Sequence, residues 1–327
     1  MRRIAFLFLA MILCSGVPVR PDYLKEGDKV AVISPSYLPN MGDVRKGMRE
    51  LIRIGLVPVT GPNLGKYDPG NGASGTSRYG GTVTQRTEDL LWALEDDSIK
   101  AIMCARGGYG AIHLLQTVPV EAYAAHPKWI IGYSDITSLH AACLKAGVMS
   151  IHANGCAALG NKGAGDMSNR MLLNLLTGVL PEYEWASHSL SNPGHADGIL
   201  VGGNMITWET LAGSSYDLLT TDSDLILFIE EVEESMHAVD RLFNILLLSG
   251  RMDKVKGIVF GEFTDCPKDL PYDSVEHMLS QYAQKLGIPV AYSFPAGHGS
   301  ENKPLIFGAP VSLDVTADSS HLRFNID

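Results

Sequence analysis

The sequence predicts an α/β fold in two domains, a doubly wound, mostly parallel sheet followed by a smaller mixed α/β unit. Two observations carry this. From Lys29 onward, short apolar runs with almost no polar alternation are separated by segments of helical period, the pattern of a parallel sheet covered on both faces. Residues 161–197 then turn Gly-rich and polar before strands and helices resume. The expected division is a first domain at 21–160, a linker at 161–197 and a second domain at 198–327, behind a distinct head at 1–16.

Taken in order, residues 29–34 read as a buried first strand ended by Pro35. Residues 42–55 read as a helix with Val44, Met48, Leu51 and Ile52 on one face, stopped by Gly55. Thr82 and Gln85 form a candidate capping box for a helix carrying Leu90, Leu91 and Leu94. Residues 100–104 and 129–131 are the next two strands. In the second half, strands are expected at 199–201, 225–229, 257–260 and 305–311. Helices are expected there at 205–212, 237–249 and 274–286.

Composition narrows the functional classes. The 327 residues are 46% hydrophobic and 19% charged, which excludes wholesale disorder. The net charge is −10 and no run of Lys and Arg occurs, so a nucleic-acid groove, which needs clustered cations, is not expected. Of five cysteines, Cys104 and Cys143 read as small core residues, and neither they nor Cys14, Cys156 and Cys266 show a zinc spacing or a disulfide framework.

At the head, Arg2 and Arg3 precede ten unbroken apolar residues, 4–13, and then the small residues Ser15 and Gly16. A membrane span needs about 20 apolar residues, so the run reads as a secretory signal, with Cys14 as an alternative lipid-attachment point. Processing would place the chain in the periplasm or outside the cell, with no stable membrane insertion. Without it the chain is cytoplasmic.

The most informative segment is 129–137, where an apolar strand runs into Gly132-Tyr133-Ser134 and a helix follows at once. This is the strand–turn–helix setting of a nucleophile elbow, with Ile136 where a second glycine is usual. The backbone N–H of Asp135 would then sit where an oxyanion forms. The alternative is that Ser134 merely caps the helix. Residues 105–110 form a second loop, in which Gly107, Gly108 and Gly110 allow close backbone approach. It lacks both the dinucleotide and the phosphate-loop spacing. Gly108 or Gly107 could give a second oxyanion donor, and Arg106 could hold a substrate carboxylate or else pair with a core acid.

A serine hydroxyl needs a base. Among ten histidines, His298 lies in a polar, glycine-flanked loop at 295–304, whereas His113, His140 and His277 sit in helical patterns and His152 could line the same cleft. A base also needs a carboxylate to fix its tautomer. Glu230 ends an apolar strand where α/β enzymes place functional groups, while Glu231, Glu233 and Glu234 read as helix N-terminal charge.

These motifs occur together and in order: Ser34-Pro35, residues 105–110, 132–135, 202–204, 228–230 and Gly297-His298. So combined, the chain resembles the LD-carboxypeptidase family of serine peptidases, which includes the microcin C immunity hydrolases. The resemblance spans residues 23–324. It implies a Ser134–Glu230–His298 triad in a cleft between the domains, oxyanion donors at Asp135 and Gly108, and substrate contacts from Arg106, Gly107, Tyr133 and Asn204. It implies release of D-alanine from a peptidoglycan-derived tetrapeptide, no metal or cofactor, and a homodimer. Residues 152–154 depart from the family's usual His-Gly-Pro. A second reading is hydrolysis of a microcin-like aminoacyl- or peptidyl-nucleotide amide, with Trp208 stacking a base or simply sitting in the core. A third is a solute-binding protein without chemistry.

Overall fold

The computed structural model describes residues 16–68, 70 and 78–326. The signal-like head, Cys14 included, lies outside the described residues apart from Gly16. The first sheet takes strands β1 (Lys29–Ile33), β2 (Val57–Thr60), β3 (Ile99–Cys104), β4 (Trp129–Gly132) and β5 (Ser150–His152), with helices α1 (Met41–Arg53), α2 (Val83–Glu95), α3 (Val120–Ala125) and α4 (Thr137–Lys145) between them. Next come α5 (Cys156–Lys162), α6 (Met167–Leu176), β6 (Glu182–Ala186), β7 (Gly194–Asn204), α7 (Met205–Glu209), β8 (Leu225–Val232), α8 (Met236–Leu248), β9 (Val255–Thr264), α9 (Val275–Ala283) and β10 (Val290–Ala291). Strands β11 (Leu305–Phe307), β12 (Pro310–Val315) and β13 (Ser319–Phe324) end the chain.

The first sheet has the order β11-β5-β4-β3-β1-β2, parallel except for β11. Because β1 leads outward to β2 while β3 leads the other way to β4, the loops after β1 and β3 part at their carboxyl ends. That crevice is where open α/β sheets bind ligands. Alternate residues serve the two faces: Val30, Val32, Ala101, Met103 and Ile131 pack on one side, and Ala31, Ile33, Ile102 and Ile130 on the other. The second sheet, β10-β9-β8-β7-β12-β13-β6, is parallel through β7 and antiparallel beyond it.

One apolar core is shared between the two halves. It runs from Ile33 and Leu90 through Leu139 and Cys143 to Trp208, Phe243 and Phe260, with α4 packed against α7. Rigid rotation of one half on the other would expose that surface, at roughly 25 cal/mol per Å² of apolar area.

The expected capping box at Thr82 is formed, with Gln85 answering from the third helical position. Two expectations are corrected and one strand is added. The 161–197 segment is not a loop, because it holds α6, whose Leu172, Leu175 and Leu176 are buried, and β6, which pairs with β13. The 305–311 run is two strands in different sheets, divided at Gly308 with φ +86°. Edge strand β2, with Pro58 in it and no continuous apolar run, was not expected at all.

Candidate active site

The elbow is built by steric necessity. Strand β4 ends at Gly132, where a Cβ would lie 2.8 Å from Ile136. Ile136 therefore packs onto the turn, and its bulk in place of a second glycine is accommodated there. Ser134 has φ +63°, a left-handed conformation that a serine adopts only when its surroundings impose it. The turn continues as one 3-10 turn into α4.

The glycine loop lies against this turn. A Cβ on Gly107 would lie 3.0 Å from Ser134 Cβ and 3.1 Å from the Tyr133 carbonyl oxygen, so the loop backbone approaches the hydroxyl as only glycine permits. Gly108, at φ +121°, packs over the Tyr37 ring. Asp135 fastens the parts together through its buried side chain. Its Oδ2 accepts the Ser36 hydroxyl at 2.5 Å and the Ala111 N–H at 2.8 Å, tying the elbow to the loops after β1 and β3. Burial pushes this carboxyl above its ordinary range against those hydrogen bonds.

Arg86, on the buried face of α2, completes the frame. Its guanidinium donates to the carbonyls of Pro35 at 2.6 Å, Gly110 at 2.7 Å and Gly81 at 3.2 Å. Neither Arg86 nor Ser36 was anticipated. The available signal was an arginine four residues before Leu90, in phase with the apolar stripe of α2.

From the second sheet, Glu230 stands near the carboxyl end of β8, fully buried, and accepts Nδ1–H of His298 at 2.7 Å. Burial disfavours the imidazolium, but the hydrogen bond and charge of Glu230, with the charges of Glu231 and Glu233, outweigh it and hold His298 above its ordinary value. A Cβ on Gly297 would lie 3.0 Å from Glu230 Oε2, so glycine is what lets the loop come this close. The Tyr133 ring packs 5.0 Å from the His298 ring, centroid to centroid. Among the described residues no hydrogen bond joins Ser134 Oγ to His298. Such contacts often tighten only on substrate binding.

The remaining expectations divide. Arg106 is exposed, its Cζ is 5.9 Å from the Tyr37 centroid, and among the described residues it makes no ion pair, so the pairing with a core acid is not realised. The Asn204 side chain is engaged within the protein. Its Oδ1 accepts the Thr207 N–H and hydroxyl, capping α7, and its Nδ2 donates to Glu231 at 2.7 Å. The glycines before it form a joint: a Cβ on Gly203 would lie 2.5 Å from Thr137 Oγ1, at the start of the elbow helix. Glu231 receives the Ile206 N–H as well; it therefore lies within β8 and meets the start of α7 instead of the helix that follows it, and burial pushes it up to about 7. His152 is fully buried and does not line the cleft, and Trp208 is fully buried in the core. Among the described residues no cluster of His, Cys, Asp and Glu is suited to a metal ion.

Protein-family models match the chain twice, the LD-carboxypeptidase N-terminal domain at residues 30–153 and the LD-carboxypeptidase C-terminal domain at 197–313. The murein tetrapeptide carboxypeptidase of Pseudomonas aeruginosa is 31% identical over 76% of this chain and 83% of its own length. The microcin C7 self-immunity protein MccF of Escherichia coli is 28% identical over 91% of this chain and 93% of its own. The fold is similar to the crystal structure of a muramoyltetrapeptide carboxypeptidase from Oxalobacter formigenes, with a TM-score of 0.79 at 24% identity, covering 91% of this chain and 99% of that one.

Proposed function

This chain belongs to the LD-carboxypeptidase family and is a serine-type carboxypeptidase, and from that premise we propose that it releases the terminal D-alanine of murein tetrapeptides through Ser134, His298 and Glu230. The observation that carries the reading is the pairing of Glu230 with His298 across from a serine held at φ +63°.

In the first step Ser134 Oγ attacks the scissile carbonyl while His298 Nε2 takes its proton. Glu230 holds Nδ1–H and stabilises the imidazolium. The tetrahedral oxyanion is received by the N–H groups of Asp135 and Gly108, where loss of one donor typically costs about 3 kcal/mol. His298 then returns the proton to the leaving amine, D-alanine departs, and water attacks the acyl-serine by the same route in reverse. Arg106, exposed and without an ion pair among the described residues, supplies the cation for the substrate's terminal carboxylate.

Incubation with L-Lys-type and diaminopimelate-type tetrapeptides, with D-alanine followed over time, tests this. Turnover of either supports it, and binding without release would instead favour a solute-binding protein. The reading of the substrate as a nucleotide amide has no structural support at Trp208, whose ring is inaccessible. Export through residues 1–16 and assembly as a homodimer belong to the same proposal. N-terminal sequencing of the mature chain and sedimentation equilibrium test them.

A further inference from the structure

The loop that carries His298 is fastened to the nucleophile's side of the molecule by a buried run of side-chain amides, and we propose that Asn302 is the positioning residue that sets where His298 stands relative to Ser134. The proposal rests on the triad assigned above. Glu230 orients the imidazole, but it belongs to the same sheet as His298's own surroundings and cannot by itself fix a distance to Ser134, which projects from the other sheet.

The polarity of the run is determined from its far end. Asn169 Nδ2 faces the Gly163 carbonyl at 2.8 Å and the Leu159 carbonyl at 3.4 Å, so that atom must be the donor. Its Oδ1 then accepts from Asn154 Nδ2 at 2.9 Å, and Asn154 Oδ1 accepts from Asn302 Nδ2 at 3.3 Å. Asn302 is left presenting Oδ1, which receives the Gly297 N–H at 3.1 Å and His152 Nε2–H at 3.2 Å. The backbone N–H of Asn302 donates to Ser168 Oγ at 2.9 Å. Each of these side chains is at most 2% exposed.

Asn302 thus closes a tight loop, Gly297 to Asn302, with His298 inside it, and refers that loop to β5, to Asn154 and to α6. An acceptor is delivered to the residue before the catalytic base by amides whose orientation α5 and the turn after it dictate. Buried networks of this kind hold position well because each unmade bond leaves an unsatisfied group. A displacement of about 1 Å in a reacting group can cost about 10²-fold in rate.

The test uses the whole chain and a fluorophosphonate, which phosphonylates an activated serine without any peptide-binding contact. The rate constant for labelling Ser134 reports Ser–His coupling per molecule, and the final stoichiometry by intact mass reports the competent fraction. Asn302→Ala is expected to label to full stoichiometry about 10²-fold more slowly than wild type, with KM for the tetrapeptide little changed and kcat lowered in parallel. Asn154→Ala, which leaves the Gly297 contact in place, is expected to slow labelling by only about tenfold and carries the test if Asn302→Ala does not fold. A merely structural role would lower stoichiometry or Tm and leave the rate constant alone. Labelling of either folded variant at the wild-type rate overturns the proposal. Absence of labelling at Ser134 in the wild type overturns the triad, and this inference with it.

Discussion

Glu230 Oε2 lies 2.7 Å from His298 Nδ1, and the other oxygen of this fully buried carboxylate has no partner among the described residues. Glu230 is therefore committed to the imidazole, and its hydrogen bond and charge are the strongest influences opposing the burial of His298.

That commitment sets the pH profile. His298 must be neutral to accept the proton, so kcat/KM should fall as pH drops through its pKa, which is held above the ordinary 6.5. Glu230→Gln removes the strongest raising influence and leaves the burial that lowers it, opposed only by the charges of Glu231 and Glu233, so the acid limb should move to lower pH, with kcat reduced by about 10³- to 10⁴-fold. An unmoved limb would mean that another group titrates.

Strain at the elbow predicts a stability order. Ser134→Gly and Ser134→Ala should both be inactive, but glycine tolerates φ +63° and alanine keeps the Cβ that does not. Urea denaturation should find the glycine variant more stable by about 1 kcal/mol, the reverse of the usual effect in a helix. Equal midpoints would remove the evidence that the fold imposes strain there.

Arg106 should act on binding and not on folding. Because it is exposed and makes no ion pair among the described residues, Arg106→Ala should leave Tm unchanged while lowering kcat/KM by about 10- to 100-fold, the scale of a charge-assisted hydrogen bond. A tetrapeptide amidated at its C-terminus should show no further loss. An equal loss on both substrates would place the carboxylate elsewhere.

Arg86 should act on both. Arg86→Met leaves the buried carbonyls of Pro35 and Gly81 without a donor, and Gly110 with the His113 N–H alone, so a destabilisation on the order of 3 kcal/mol is expected, with kcat falling in the fraction that remains folded. Circular dichroism melts alongside labelling stoichiometry separate the two effects.

What could be read from the sequence was what short-range chemistry dictates. The Thr82–Gln85 box, the Gly132–Ser134 turn and the glycines at 107 and 108 each need only neighbours in the chain to make sense. Helix α6 was obscured because the glycines and polar residues at 161–166 and 181–197 outweighed the apolar residues between them. The 305–311 run looked like one strand because continuous hydrophobicity does not reveal which sheet each part joins. Arg86 reaches Pro35 across 51 positions and Asn302 reaches Asn154 across 148, so neither contact leaves a local pattern. Asn204 lay in a recognisable motif, yet its side chain caps α7 and bonds Glu231 of β8, which only the packing could reveal.

The central claim is that Ser134 is the nucleophile. The most direct measurement is the rate of D-alanine release from a murein tetrapeptide by wild type and by Ser134→Ala, at equal concentrations of folded protein. A loss of several orders of magnitude with an unchanged melting transition is expected, since removal of a triad nucleophile has effects of that size. Retention of more than about a tenth of wild-type turnover would contradict it.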